Sequence, residues 1–252
     1  MTILEKYNSA KFYTTASMES LTILQWWVNQ KVKPCISLDT ETTSLYSGVP
    51  SQLCTQILTL DAIENPSETP CILKKRKAQN DTKDCSANYK VEQRDDLVVF
   101  GISCAIEKDE VVHCFWGRLG TLLYKKLCKV AAIEGPKCFH NARFDIRACA
   151  SSDITLSPEI ECTYTMSRIY WDRRKAHGLD DLAKFLCPEI CDWENVIKKE
   201  LTRLRKMFKK AGYPDSYVNY SFIRDEIIAP YAMKDAFMCL MLWKRLQGEA
   251  KW

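Results

Sequence analysis

Four carboxylates and a tyrosine, spread over three short motifs, are the residues whose types and spacing could do chemistry. The first motif is Leu38-Asp39-Thr40-Glu41-Thr42, at the end of a short apolar run from Cys35 to Leu38 that reads as a buried strand. Side chains alternate across a strand, so Asp39 and Glu41 point the same way. Two carboxylates on one face of a buried strand repel, and they are costly to desolvate unless a cation sits between them. Hard oxygen donors at this spacing suit Mg²⁺ or Mn²⁺. The second motif, Phe139-His140-Asn141-Ala142-Arg143-Phe144-Asp145, falls at a strand-to-helix junction. Asp145 lies in the first helical turn, where the dipole favours a carboxylate even without metal, so helix-end chemistry and metal ligation stand level there. Asn141 has the side chain of a helix cap. In the third motif, Tyr231-Ala232-Met233-Lys234-Asp235-Ala236, the tyrosine and aspartate are four apart on a helix and share a face. An acid on a helix otherwise carrying Phe237, Leu240 and Met241 needs a partner, and a nearby backbone group is the structural alternative to a metal.

The elements that must hold these residues can be read from periodicity. Apolar positions at Leu21, Leu24 and Val28 mark a helix over Met18–Lys31, ended before Pro34. The pattern then lapses from about 61 to 96, where Pro66, Pro70 and the run Lys74-Lys75-Arg76-Lys77 stand among polar residues. That composition reads as a surface insertion, flexible in part. Two strands follow, Leu97–Ile106 and Glu110–Trp116, joined as a hairpin around Lys108-Asp109. Helices are expected over Thr121–Ala132, from Ala142, over Thr163–Trp171 and over Leu179–Leu186. A basic amphipathic helix over Glu194–Ala211 and a final helix over Pro230–Leu246 complete the series. Strands come early and helices late, with one helix before the first strand, which predicts an α/β fold with a mixed sheet flanked by helices.

The bulk composition fits one large α/β domain in 252 residues, with 46% hydrophobic and 27% charged residues. A net charge of +4 is too mild to demand a nucleic-acid partner and does not oppose one. The 13 cysteines are odd in number and scattered without a C-x-x-C pair, so reduced, buried thiols are expected in place of a disulfide scaffold. Cys187 and Cys191 lack the second pair that a zinc set needs. The N-terminus has no cationic segment leading into an apolar one, and no apolar run reaches the length of a membrane span. An intracellular, cytoplasmic location and no membrane partner are therefore expected.

Taken together, L-D-T-E-T-x-x-L, F-H-N-x-x-F-D and Y-A-x-x-D-A resemble, in order and separation, the DEDD exonuclease superfamily. Within it they resemble the tyrosine-bearing branch, and most closely the proofreading 3′–5′ exonuclease domain of family A DNA polymerases, the DNA polymerase I type. Asp180-Asp181-Leu182-Ala183 resembles the stretch that family places before its last motif. The resemblance runs from about Met18 to Leu246. It departs from the bacterial pattern in the insertion after the first motif and in a longer basic helix, a feature reminiscent of phage polymerases.

The resemblance implies a ribonuclease H-like (DnaQ-like) exonuclease fold and a single exonuclease domain over 1–252. It also implies two divalent ions, Mg²⁺ or Mn²⁺, about 3.5–4 Å apart and held by Asp39, Glu41, Asp145 and Asp235. Tyr231 would orient the attacking water, since a tyrosine pKa of about 10 makes it a poor base. Leu45 would wedge against the terminal base, Asn141 would contact the sugar–phosphate backbone and Trp193 would stack on a base. The implied partner is the single-stranded 3′ end of DNA, with a DNA polymerase domain or subunit as a further one. Two rival readings share parts of this pattern: an RNA-trimming exonuclease of the RNase D type, against which the H-N-x-x-F-D wording speaks, and a non-catalytic nucleic-acid-binding module, against which the complete set of carboxylates speaks.

Overall fold

The computed structural model describes residues 1–43, 98–190, 193–211 and 218–248. Leu45, the 61–96 segment with its basic run, and Cys191 lie outside the described residues. Six strands form one mixed sheet in the order β1-β4-β3-β2-β5-β6, comprising β1 Lys11–Tyr13, β2 Ile36–Thr42, β3 Val99–Lys108, β4 Val111–Arg118, β5 Lys137–Phe139 and β6 Ile160–Cys162. The antiparallel part is β2-β3-β4, while β1 joins β4, and β5 joins both β2 and β6, in parallel. Helices cover both faces, as the sequence predicts.

The hairpin between β3 and β4 turns on Asp109 and Glu110, both at positive φ, the backbone a tight two-residue connection demands. Strand β2 runs further than the apolar run suggested. Instead of ending at Leu38 it continues to Thr42, because Asp39, Thr40 and Glu41 pair across to Ser103, Ile102 and Gly101 of β3. A register shift between Glu41 and Thr42 skips one residue of β3, and Thr42 then pairs with Val99. Asp39 and Glu41 therefore sit within a strand rather than after one.

The two faces of β2 belong to two cores. Ile36 and Leu38 pack into the layer formed with α2 (Met18–Val28) and α3 (Leu122–Ala132), around Trp27, Leu127 and Phe139. The capping hydroxyls Ser17 and Thr121 start these helices by accepting the backbone N–H of Ser20 and Tyr124. Helix α2 stops at Val28, three residues earlier than expected, and Trp27 then donates its indole N–H to Pro34 O at 2.8 Å, pinning the entry to β2.

The opposite face is covered by the final helix, α8 (Asp225–Leu246), whose alanines 229, 232 and 236 are fully buried. Small side chains let this helix approach the sheet closely enough for Ser37 Oγ of β2 to donate to Ala236 O. Helix α8 begins five residues before the expected Pro230, so the proline lies inside it. Only the carbonyl one turn earlier loses its helical donor by that.

The helices expected from Thr163 and Leu179 are present as α5 (Thr163–Tyr170) and α6 (Leu179–Leu186). Three short elements were not anticipated: α1 (Ile3–Ser9), capped by a Thr2–Glu5 capping box, and the edge strands β1 and β6. Two helices and a strand thus precede the strand that carries the first motif. Among the described residues no helix is long and apolar enough to cross a membrane. The nine described cysteines are free thiols, seven of them buried.

Candidate active site

Three elements bring the carboxylates together at one end of the sheet. Strand β2 supplies Asp39 and Glu41 on the face that α8 covers. Tyr231 and Asp235 lie one turn apart in the first half of α8, and Asp145 comes from α4 (Ala142–Ser151), which begins two residues after β5. Ligand-capable atoms of Asp39, Glu41 and Asp235 all lie within 4.8 Å of one another. Glu41 and Asp145 are buried, while Asp39 and Asp235 keep part of their surface open.

Asp145 reaches the site from the other face of the strand. Its Oδ1 accepts both the backbone N–H of Thr40 at 3.1 Å and the Thr40 hydroxyl at 2.7 Å. Thr40 stands between the two acids and, by alternation, points away from them. It ties the second motif to the first. Asp235 is held by the indole N–H of Trp193, 2.8 Å from its Oδ1, rather than by the backbone partner that the sequence allows.

The site is electrostatically strained in a common direction. Burial pushes the Asp39 carboxyl up to about 6, opposed by a hydrogen bond from Thr40. Burial raises Glu41 well above its ordinary range, and the negative charges of Asp39, Asp235 and Asp145 add to it. Asp145 is raised by burial and then by Asp39, with the Thr40 hydrogen bonds working against both. For Asp235 burial again leads, Asp39 follows, and hydrogen bonds from Trp193 and Tyr231 hold it back. Tyr231 is raised by burial and by Asp235 and Glu41, so its hydroxyl keeps its proton. A buried cluster of hard oxygen donors fits divalent metal ions, which would lower every one of these pKa values.

One tyrosine outside the three motifs stands close to the cluster. Tyr220, in a 3₁₀ turn (Tyr220–Phe222), meets the Tyr231 ring edge-on at 6.3 Å between centroids. Burial, then Glu41, Glu194 and Asp235, push its hydroxyl up to about 12, with Arg205 opposing them. Asn141 is the first residue before α4, at φ 65°, and its side chain makes no capping bond; the expected cap is absent and the exposed side chain stays available.

Trp193 needs correction as a stacking residue. It is 5% exposed and packed in the core, with Lys234 Nζ 5.9 Å from its ring centre, so its faces are covered. Leu45 lies outside the described residues.

A 3′–5′ exonuclease family model matches residues 121–251, just over half of the chain. The chain belongs to the 3′–5′ exonuclease family. The matched span holds Asp145, Tyr231 and Asp235 and begins after Asp39 and Glu41, which the fold returns to the same place. No curated protein matches the sequence. Among solved structures, Escherichia coli RNase D, an exoribonuclease involved in structured RNA processing, is 13% identical with a TM-score of 0.50. That alignment covers 95% of this chain and 44% of RNase D. Brucella melitensis NrnC, solved with bound Mg²⁺, is 13% identical with a TM-score of 0.46, over 96% of this chain and 81% of NrnC. The fold of this exonuclease is therefore ribonuclease H-like, and nucleic acid is its substrate class. Exonucleases of the DEDD superfamily use two divalent metal ions, and the acidic cluster provides the donors for them.

Proposed function

We propose that residues 1–252 act as one proofreading-type exonuclease domain of the tyrosine-bearing DEDD branch, releasing nucleoside monophosphates from the 3′ end of single-stranded or frayed DNA. The observation that carries this reading is the convergence of Asp39, Glu41 and Asp235 within 4.8 Å, with Asp145 tied to the same strand and Tyr231 one turn from Asp235. Asp39, Glu41, Asp145 and Asp235 hold the metal ions. When bound, a pair of divalent ions supplies a water acidic enough to attack near neutral pH and countercharge for the departing 3′ oxygen. Tyr231, kept protonated by its surroundings, orients that water as a hydrogen-bonding group rather than as a base. Water adds at the terminal phosphorus, the bond to the 3′ oxygen breaks, and the nucleotide leaves with its 5′ phosphate. Asn141 contacts the sugar–phosphate backbone, and Leu45 wedges the terminal base. A polymerase domain or subunit is the partner that would present frayed ends.

RNA is the second reading, favoured by the fold likeness to RNase D. One assay separates the two. A 5′-labelled single-stranded DNA and an RNA of the same sequence are each incubated with Mg²⁺ or Mn²⁺. The expected result is a ladder shortening from the 3′ end of the DNA, abolished by chelation and by Asp39→Ala/Glu41→Ala. A ladder on RNA alone would make the protein an exoribonuclease, and no ladder on either strand would leave a binding module.

A further inference from the structure

We infer that Trp193 is a positioning residue for Asp235, selecting the carboxylate orientation in which the aspartate can hold metal. This rests on Asp235 being a metal ligand, as proposed above. Three observations converge on it. The Trp193 indole N–H lies 2.8 Å from Asp235 Oδ1, across 42 positions of sequence. The ring is 5% exposed and belongs to the same core cluster as Ile190, Ile197 and Leu201, so packing holds the donor in place. Asp235 also belongs to the three-carboxylate cluster, with a ligand-capable oxygen within 4.8 Å of those of Asp39 and Glu41, and Tyr231 is its other hydrogen-bond partner.

The chemistry of the donor matters. Indole N–H donates and cannot accept, so it always binds a lone pair and never the proton of a neutral acid. A buried donor-only group therefore holds one carboxylate oxygen and limits rotation about the aspartate's last torsion. Partners behind a ligating carboxylate commonly contribute 10–100-fold to metal affinity. Trp193 also leads directly into the basic helix α7 (Glu194–Ala211), so the same hydrogen bond ties the start of that helix to the acidic cluster.

The test is calorimetric titration of Mn²⁺ into the metal-free full chain, comparing wild type with Trp193→Phe, Asp235→Asn and Leu201→Ala. Trp193→Phe keeps a ring and removes the donor; it should weaken Mn²⁺ binding by roughly 10–100-fold. Leu201→Ala loosens the same packing and should keep wild-type affinity. Wild-type affinity in Trp193→Phe, or an equal loss in Leu201→Ala, overturns the inference while leaving the metal site intact. Wild-type affinity in Asp235→Asn overturns the reading of Asp235 itself. If Trp193→Phe does not fold, the indole N–H resonances of ¹⁵N-tryptophan-labelled wild type decide the matter. One of them should move on Mg²⁺ addition and be displaced in Asp235→Asn; resonances that stay fixed in both cases overturn the inference.

Discussion

Asp39 carries a pH signature that can be measured without substrate. Its ordinary value of 3.8 is raised to about 6 in the folded protein by burial. Between those values the folded chain holds a proton that the unfolded chain has released, so stability falls as pH rises through the window. Glu41, Asp145 and Asp235 are raised as well and extend the same penalty to higher pH. The metal-free protein should therefore melt at a lower temperature at about pH 7.5 than at about pH 5, with a smaller difference in Asp39→Asn. Mg²⁺ should raise the midpoint more at the higher pH. Differential scanning calorimetry at the two pH values checks both, and a midpoint that rises with pH would show that these carboxylates are stabilised by partners rather than strained. The five chemically distinctive residues of this cluster are legible in the sequence because acids next to apolar runs are conspicuous. Their supporting residues are not. Thr40 and Trp193 have ordinary sequence surroundings, and their roles exist only because the fold brings positions 40 and 145, or 193 and 235, into hydrogen-bonding range.

At the level of elements, the placement of α8 over β2, β3 and β4 decides whether Asp235 meets Asp39. Its first turn is anchored from the sheet: Trp116 Nε1 donates to Asp225 Oδ1 at 3.0 Å, and Arg118 donates to Asp225 and to the carbonyls of Ser221 and Ile223. The Trp116 ring extends over Gly101, two positions along β3 from its register partner Ser103; a Cβ at Gly101 would come within 2.0 Å of the indole ring. Gly101→Ala should therefore displace Trp116, cost about 1–3 kcal/mol in urea unfolding and lower nuclease turnover by shifting α8. Unchanged stability would mean that the indole has room to move. Longer elements such as β3, β4 and α3 were readable from periodicity, because each repeats its pattern several times. Strands β1 and β6, of three residues each, are too short to show a pattern and owe their pairing to the strands beside them. The early start of α8 was hidden by Pro230, read as a beginning when the preceding turn already packs Ile228 and Ala229 in the core.

For the molecule as a whole, charge placement says more than the net value of +4. Helix α7 carries seven cations, of which Lys198 pairs with Glu194 and Arg203 with Glu200 within the helix. Lys199, Arg205, Lys206, Lys209 and Lys210 make no such ion pair among the described residues, and Arg205 lies near enough to affect Tyr220 at the acidic cluster. A strand leaving the cluster along this helix would meet a row of cations. Replacing Lys206 and Lys210 by alanine should weaken single-stranded DNA binding at low salt. It should also flatten the log–log salt dependence by about 0.7 for each phosphate that is no longer neutralised. Fluorescence anisotropy at several salt concentrations measures the slope, and an unchanged slope would place the strand elsewhere.

The order in which the chain is made adds a consequence. Asp39 and Glu41 are synthesised early and Asp145 later, yet Tyr231 and Asp235 arrive only with α8, which packs against four strands of the sheet. A nascent chain can build most of the sheet and still lack the group that closes the acidic cluster. Until α8 has docked on the sheet, the acidic cluster lacks both Tyr231 and Asp235.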